Sequence, residues 1–390
     1  MINKEEEKKK ILRLLYKGNG LSRLDINTVL RIRQTTLQEI ISALVSQNLL
    51  HEPERNSKKT GARSPKLYIN PEYGNLLGID LGSNCIKTVI TDFNGIVLYK
   101  IKGSYKTLKD KDSLLNETFS LLKKIKGENP ELWNKIIGIG IADPGPVDIK
   151  NGISLFAYNI RNWANVPTAE IFGGKYMRPV SVITASHAKA MSEHFFNNSD
   201  VSSLFVVDMG RGVGAAYIYN HELFTGYTHT EMEFGHILVN ENGQQCSCGR
   251  NGCLEAEIGS MSILEKFRKK IADGAQSIVS QDADTGKITL EHIYASSLKN
   301  DPVSVSLIHE VAEYLAKGLS YVIQLVNPEK IIIHGPITAL DGKIDGYVKH
   351  SLYKYCFPSV VDKMEISCSR LDEFSAALGA CIAIRSKLLF

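Results

Sequence analysis

The first 70 residues carry apolar positions at helical spacing. One helix is predicted over residues 5–17, where acidic residues precede lysines as the helix dipole favours. A short helix follows between Ser22, a candidate N-cap, and Leu30. After a turn at residues 31–34, a longer helix carries one apolar stripe of Leu37, Ile40, Ile41, Leu44 and Val45. This order of elements predicts a helix-turn-helix.

The segment after the third helix, residues 49–70, predicts two short strands around a basic tip that contains Gly and Pro. Such a hairpin would make the module a winged helix. The exposed start of the third helix carries polar side chains that suit base edges and phosphates: Arg33, Gln34, Thr35, Thr36 and Gln38. Cations on the wing are further candidates for DNA contacts: Lys58, Lys59 and Arg63. The pattern predicts an N-terminal DNA-binding module.

Beyond Pro71 the periodicity changes to strands separated by glycine turns. A strand, a glycine turn and further strands are predicted over residues 76–101. A similar unit recurs over residues 203–226, and between the two copies residues 136–152 predict a buried strand that runs into a rigid Pro-Gly loop. Two copies of one unit indicate an internally duplicated α/β fold with a cleft between its halves.

Charge separates the two parts of the chain. Residues 1–70 contain 14 Lys and Arg against 7 Asp and Glu, a balance of +7, whereas the remaining 32 basic and 35 acidic residues give −3. A basic module on a slightly acidic body indicates nucleic acid at one end only. No apolar run approaches the roughly 20 residues of a membrane span, and the charged N-terminus is unlike a signal peptide. We therefore expect a cytoplasmic protein without a membrane partner.

Three of the seven cysteines lie within eight residues, in the segment QQCSCGRNGCLE at 244–255. They are Cys246, Cys248 and Cys253, and two of the residues between Cys248 and Cys253 are glycines. Because thiols stay reduced in the cytoplasm, so tight a cluster predicts a metal site rather than disulfides.

Several motifs together resemble those of the ROK family. They are IDLG followed by TDFNG, then ADPGPVD, then E-F-G-H ahead of C-x-C-G-x-x-G-C-L-E. The resemblance spans about the whole chain. It implies an N-terminal winged helix-turn-helix, as in the repressors of that family, on a duplicated, two-lobed α/β body of the actin-like and hexokinase-like (ribonuclease H-like) kind. The expected domains are 1–72 for DNA binding, 73–198 for the first lobe with the C-terminal helix 372–390 returning to it, and 199–371 for the second lobe with the metal loop.

The resemblance also implies which residues bind metal and sugar. His236 would add a fourth ligand ten residues before Cys246, and Cys3His is a common closed set for structural zinc. Four protein ligands leave no open position for catalysis. In the family, residues beside this loop contact sugar hydroxyls, which implies a sugar site of Asn159, Glu233, His236 and Glu255. The alternative is that the two glutamates are solvated surface acids.

The resemblance to the sugar kinases of the family fails at the catalytic base. These kinases carry E-N-D-A-N-A-A-A-x-G-E, whose Asp takes the proton from the attacking sugar hydroxyl. The matching stretch, residues 183–193, reads ITASHAKAMSE, so Ala185 stands at the Asp position and Thr184 at that of a sugar-contacting Asn. His187 is a candidate substitute base, but it stands two positions away, and a base must lie within hydrogen-bond reach of its proton.

The predicted nucleotide turns depart from the kinase pattern as well. The first turn, residues 80–84, reads DLGSN in place of D-x-G-G-T. The second, residues 210–214, places Arg211 where a hydroxyl would contact phosphate, although its cation could itself pair with phosphate, so the change does not exclude an anionic ligand. After a late strand, where the family has a nucleotide-contacting Gly-Gly, the chain instead reads IIIHGPIT, with His334 and Pro336. We therefore expect no enzymatic activity.

The sequence predicts a sugar-responsive DNA-binding transcriptional regulator of the repressor type. The expected partners are operator DNA, a sugar or sugar phosphate, and further copies of the chain in a homodimer or higher homo-oligomer. One alternative is an active ATP-dependent ROK sugar kinase with a fused DNA-binding domain. Another is a regulator with an empty cleft that is controlled by a sugar-transport protein.

Overall fold

The protein divides into two compact units. Unit 1 comprises Met1–Phe195 with Glu373–Phe390, and unit 2 comprises Phe196–Asp372. The computed structural model describes residues 4–16, 20–53, 65–82, 85–104, 110–157, 160–279, 288–340 and 343–390. Within these ranges, none of the helices has the length and apolar character that crossing a bilayer requires.

Unit 1 begins with three helices and a small antiparallel sheet. The helices are α1 Lys4–Leu15, α2 Arg23–Leu30 and α3 Gln34–Ser46, and the strands are β1 Leu21–Ser22, β2 Leu50–His51 and β3 Lys66–Ile69. The sheet order is β1-β3-β2. Ser22 caps α2 as predicted, because its hydroxyl accepts the N–H of Asp25 and the Asp25 carboxylate accepts the N–H of Ser22. The predicted winged helix is therefore confirmed.

Two details of this module differ from the prediction or lie beyond it. Val45 was expected in the apolar stripe of α3, but its side chain is 38% exposed. The other four predicted stripe residues are buried, and a four-residue stripe already fills the face that α3 turns to the core. The predicted wing cations Lys58, Lys59 and Arg63 lie outside the described residues.

The remainder of unit 1 is built on a five-stranded mixed sheet of order β11-β7-β4-β5-β6. The further strands of unit 1 are β4 Asn75–Leu81, β5 Cys85–Thr91, β6 Val97–Ser104, β7 Ile136–Asp143, β8 Val147–Asp148, β9 Ile153–Phe156, β10 Ala164–Val166 and β11 Val180–Thr184. Its further helices are α4 Lys111–Glu128, α5 Pro130–Asn134, α6 Thr168–Tyr176 and α7 Ala185–Asn197, together with the C-terminal helix Ser375–Leu389. The C-terminal helix packs on β4 and β7, so the end of the chain returns to unit 1.

Unit 2 repeats this sheet with the order β14-β13-β12-β15-β16. In both units the first strand pairs antiparallel with the second and parallel with the fourth. The strands are β12 Ser203–Met209, β13 Val213–Tyr219, β14 Glu222–Leu223, β15 Lys330–His334 and β16 Glu365–Cys368. The helices are α8 Leu254–Ile258, α9 Ser260–Ala272, α10 Leu290–Leu298, α11 Pro302–Leu325, α12 Lys343–Leu352 and α13 Pro358–Lys363. The predicted duplication of an α/β unit is therefore confirmed.

Candidate metal and ligand-binding site

Four side chains of unit 2 bring their ligand atoms together. One ligand atom from each of His236, Cys246, Cys248 and Cys253 lies within 4.8 Å of the other three. Cys246 Sγ is 3.5 Å from His236 Nδ1, and Cys248 Sγ is 3.7 Å from Cys253 Sγ. Two of the four residues are buried and two are half-buried. A single cation can contact all four atoms, so this set forms a candidate metal centre.

Backbone pairing brings His236 to the cysteines. Leu238 forms an isolated β-bridge with Cys253. Next to this bridge, the N–H of Leu254 donates to the carbonyl of Ile237 at 2.9 Å. These contacts join the segment that follows His236 to the end of the cysteine loop, although the two are separated by the whole loop in the sequence.

The loop itself depends on a glycine at its base. The N–H of Cys246 donates to the carbonyl of Arg250 at 2.7 Å and closes the loop. Gly252 has a φ of 73°, and a Cβ atom on it would overlap the carbonyl oxygen of Asn240. Both the backbone conformation and the space therefore require glycine at this position.

The contacts within the loop shift the pKa values of Cys248 and Cys253 in opposite directions. Desolvation and the neighbouring thiols raise the pKa of Cys253 to about 12. Desolvation acts in the same direction at Cys248, but hydrogen bonds from Arg250 and from the two other thiols outweigh it and lower that pKa to about 6. Three thiolates in one loop therefore need a further positive charge, which a bound metal ion supplies.

The two ring nitrogens of His236 face different groups. Nδ1 faces Cys246, whereas Nε2 lies 3.8 Å from Oε2 of Glu233. The Glu233 side chain is 47% exposed. Desolvation nevertheless raises the pKa of its carboxyl, His236 opposes this shift, and the charge of Glu255 adds to it. A carboxylate beside the second nitrogen of a metal-binding His orients the ring, so Glu233 can support the metal centre and still present oxygens to a ligand.

Glu255, which follows Leu254 and the last cysteine of the loop, is half-buried in α8. Its Oε2 accepts the backbone N–H of Val213 at 2.9 Å. Its Oε1 accepts a hydrogen bond from the hydroxyl of Ser247 at 3.3 Å. These contacts fix the carboxylate between the metal loop and the turn before β13, unlike a freely solvated surface acid.

The predicted position of the kinase base lies in unit 1, at the start of α7. Ala185 is the first residue of this helix. Thr184 Oγ1 accepts the N–H of His187 at 3.1 Å, so the threonine caps the helix. The His187 side chain is 3% exposed and therefore ill placed to take a proton from a solvent-borne sugar. Asn159, the fourth predicted sugar contact, lies outside the described residues.

Ionisable side chains lie close together at one predicted nucleotide element of each unit. In unit 1, Lys87 Nζ is 3.9 Å from Asp80 Oδ2 and 3.7 Å from Glu373 Oε2. In unit 2, His334 and Asp208 lie opposite each other at the ends of β15 and β12, with Nδ1 3.9 Å from Oδ1. A buried imidazole thus occupies the strand end where the kinase pattern has glycine.

The predicted base-reading residues lie together at the N-terminal end of α3. Arg33, Gln34, Thr35 and Gln38 are exposed, and Thr36 is half-buried. Gln38 Oε1 accepts a hydrogen bond from Arg23 Nε at 3.2 Å, and Gln38 Nε2 donates to the Ser42 hydroxyl at 3.4 Å. Arg23 also pairs with Glu52 at the end of β2. The Gln38 amide is therefore held in a defined orientation on the exposed face of the helix.

Three supporting residues of these sites were missed by the sequence analysis. Ser247 stands between two metal ligands, and its hydroxyl was a signal that could have been used. Val213 contributes only its backbone N–H, which no side-chain pattern reveals. Arg23 is 15 positions from Gln38, and its pairing depends on how α2 crosses α3.

Comparison with known proteins identifies the family. The ROK family profile matches residues 76–387. The chain is 28% identical over 382 residues to the xylose repressor of Caldicellulosiruptor bescii, an alignment that covers 98% of this chain and 95% of that protein. It is 26% identical over 315 residues to the glucokinase of Thermotoga maritima, which covers 80% of this chain and 98% of the kinase.

A solved structure supports the fold over the full length. A ROK family transcriptional regulator, a homolog of the Escherichia coli MLC protein, superposes with a TM-score of 0.87 at 24% sequence identity. The superposition covers 99% of this chain and 98% of that one, so it includes the winged helix as well as both sheets. With the family profile matching far more than half of its residues, this chain belongs to the ROK family.

Proposed function

We propose that this protein is a sugar-responsive DNA-binding transcriptional repressor. One observation carries the proposal: a winged helix precedes a sugar-kinase-like body in which alanine stands at the position of the catalytic base. The similarity to a xylose repressor over 98% of the chain supports it, whereas 98% of a related glucokinase aligns with only 80% of this chain. The operator is the expected DNA partner, which places the proposed function in the cytoplasm.

The metal in this proposal is zinc. Tetrahedral zinc with Zn–S of about 2.3 Å and Zn–N of about 2.0 Å would hold two thiolates about 3.8 Å apart, and a thiolate and an imidazole about 3.5 Å apart. The corresponding distances are 3.7 Å between Cys248 and Cys253, and 3.5 Å between Cys246 and His236. With four protein ligands the ion serves as a structural cross-link, and the surrounding chain provides the recognition of the ligand.

The sugar site of this proposal includes Glu233, His236 and Glu255 on unit 2, and Asn159. Each carboxylate can accept hydrogen bonds from two neighbouring hydroxyls, which suits a polyol ring. The pairing of Glu233 with the His236 ring supports a role next to the metal loop. The contacts of Glu255 with Val213 and Ser247 support a fixed acceptor rather than a mobile one.

The DNA contacts of this proposal come from α3 and the wing. Gln34, Thr35, Thr36 and Gln38 would read base edges, and Arg33, Lys58, Lys59 and Arg63 would contact phosphates. A single short helix reads few base pairs, so we propose that two copies of the chain bind two half-sites about 34 Å apart. Sugar binding would then favour an arrangement of the two modules that binds the operator less well.

The experiment uses purified full-length protein. Rounds of selection from a random duplex library would yield a preferred DNA site, whose affinity is measured by fluorescence anisotropy at fixed salt. The titration is repeated with D-xylose, D-glucose, N-acetyl-D-glucosamine and their phosphates. A repressor of the proposed kind should lose about 5- to 150-fold in DNA affinity with one of them.

The kinase alternative is tested in parallel. Sugar-dependent release of ADP from MgATP, abolished by Glu233→Ala, would overturn the non-enzymatic assignment. A preferred DNA site whose affinity no sugar changes would instead favour control by a protein partner such as a sugar-transport component.

A further inference from the structure

The turn between β12 and β13 in unit 2 is already in contact with a carboxylate of the chain itself. Residues 210–212 form this turn, and together with the first two residues of β13 they make up the segment 210–214, whose sequence is of the kind whose backbone N–H groups bind phosphate. Here the N–H of Val213 donates to the Glu255 carboxylate at 2.9 Å. The donor is therefore used within the chain, and a phosphate placed there would meet a negative charge as well as an occupied N–H.

The Glu255 carboxylate leaves no room for a side chain at Gly212. A Cβ atom at position 212 would overlap Oε2 of Glu255. A Cβ atom at Gly210, two residues earlier in the same turn, would meet only Asp208 Oδ1, at an ordinary 3.8 Å. Neither glycine has a positive φ, so the backbone conformation requires glycine at neither position. The space that Gly212 leaves open is filled by Glu255.

The other carboxylate oxygen connects the turn to the metal loop. Glu255 Oε1 accepts the hydroxyl of Ser247, which stands between the ligands Cys246 and Cys248. A hydrogen bond at each oxygen restricts the rotation of the carboxylate. The remaining lone pairs of Glu255 therefore point in directions that the turn and the metal loop set jointly.

We propose that Gly212 and Val213 are positioning residues that seat Glu255 for recognition of a polyhydroxylated effector, and that the turn does not receive phosphate. This inference rests on the proposed sugar response. It assigns to the turn a role in effector affinity although neither residue touches the effector. It also gives Gly212 a role in a chain that has Ala185 at the predicted position of the kinase base.

Two alanine variants of the full-length, zinc-loaded protein test the proposal. Gly212→Ala displaces the end of a flexible side chain and leaves the backbone in place, whereas Gly210→Ala is the matched control. For whichever of D-xylose, D-glucose or N-acetyl-D-glucosamine binds the wild type, calorimetry should give about tenfold or weaker affinity in Gly212→Ala. Gly210→Ala should bind like the wild type, and both variants should keep their zinc. Equal sugar affinities in the two variants would overturn the proposal.

A second measurement does not depend on the sugar. Hydrogen exchange at the Val213 amide should be slow in the wild type and in Gly210→Ala, and faster in Gly212→Ala and Glu255→Ala. Unchanged protection in Gly212→Ala would overturn the seating of Glu255. MgATP binding by the wild type tighter than about 1 mM would overturn the statement that the turn does not receive phosphate. If no sugar binds the wild type, the proposed sugar response fails, and the positioning role in effector recognition fails with it, while the exchange data still decide whether the turn seats Glu255.

Discussion

The two five-stranded sheets share a strand order, but the segments attached to them are stabilised in different ways. In unit 1 the winged helix meets the body at a buried cation, Arg385 of the C-terminal helix, which is 1% exposed. Its Nε donates to the carbonyl of Phe93 at 2.6 Å, and its guanidinium lies over the Tyr16 ring, 4.4 Å from the centroid. In unit 2 the cysteine loop has little apolar support, because the buried cluster at the loop, among the described residues, consists of Cys246, Cys253 and Ala256.

The junction in unit 1 and the cysteine loop in unit 2 should therefore respond differently to a single substitution. The junction at Arg385 combines a hydrogen bond, aromatic contacts and the apolar core that α1 shares with the C-terminal helix. Because these contacts are of different kinds, a substitution can weaken one of them and leave the others in place. In the proposal above, the loop depends on a metal ion, so removing one ligand should remove most of what stabilises it. Variants in one unit should therefore leave the property measured in the other unit intact.

The largest effect is expected for Cys248→Ser. The loss of one thiolate should lower zinc content from one per chain to well below one, because the binding free energy of structural zinc is about 10–16 kcal/mol and rests on all four ligands. Elemental analysis and thermal unfolding measure the change. Cys356→Ser, which alters a half-buried thiol outside the cluster, is the control and should keep its zinc.

The same variant tests the comparison between the units. Non-specific DNA affinity belongs to the winged helix in unit 1 and should be unchanged in Cys248→Ser. Full zinc content in this variant would remove Cys248 from the ligand set.

Next in size is Arg385→Met. The change leaves the Phe93 carbonyl without its donor and removes the cation from the Tyr16 ring, so the free energy of unfolding should fall by about 2–4 kcal/mol. Urea denaturation measures the fall, and hydrogen exchange should rise in α1. Zinc content should not change. Arg370→Met, at an exposed position, is the control. Unaltered exchange in α1 would show that the junction does not depend on this cation.

A smaller, pH-dependent effect is expected at Asp143, the last residue of β7. The side chain is fully buried, and its Oδ1 accepts hydrogen bonds from the Ser154 hydroxyl at 2.7 Å and from the Gly145 N–H at 3.1 Å. Desolvation raises its pKa to about 7, against the opposing effect of these hydrogen bonds. The native carboxyl therefore keeps its proton in a pH range where the unfolded one has lost it.

The sign follows from this difference in bound protons. Between the ordinary carboxyl pKa of about 4 and pH 7, the native state binds more protons, so stability falls as pH rises through this window. Asp143→Asn should lose this decline and exceed the wild type by about 1–3 kcal/mol at pH 8. Urea denaturation at pH 5 and pH 8 tests this, with the exposed Asp112→Asn as control. If Asp143→Asn kept the pH dependence of the wild type, the prediction would be contradicted.

The sequence predicted what local patterns encode. The strand–turn–strand units, the winged helix and the cluster of three cysteines follow from periodicity, caps and close spacing. His236 was added by the resemblance to the ROK family, and the structure brings the four candidate ligand atoms together. The Arg385 junction could not be predicted, because Tyr16, Phe93 and Arg385 come from three distant segments. The seat of Glu255 was missed for a different reason. Its main donor is a backbone N–H, which every residue other than proline possesses.

The smallest effect is expected for Gln38→Ala, which removes one oriented side-chain amide from α3. Arg23 and Ser42 hold this amide, so Gln38→Ala removes an oriented donor and acceptor pair without changing the charge of the module. Selectivity for the preferred site over random duplex should fall by about 1–2 kcal/mol, and the dependence of affinity on salt should stay the same. Gln47→Ala, at the exposed opposite end of α3, is the matched control. Anisotropy titrations of both variants at two salt concentrations separate the outcomes. An equal loss of affinity for the preferred site and for random duplex, with unchanged selectivity, would place the Gln38 side chain at the phosphate backbone instead of at a base edge.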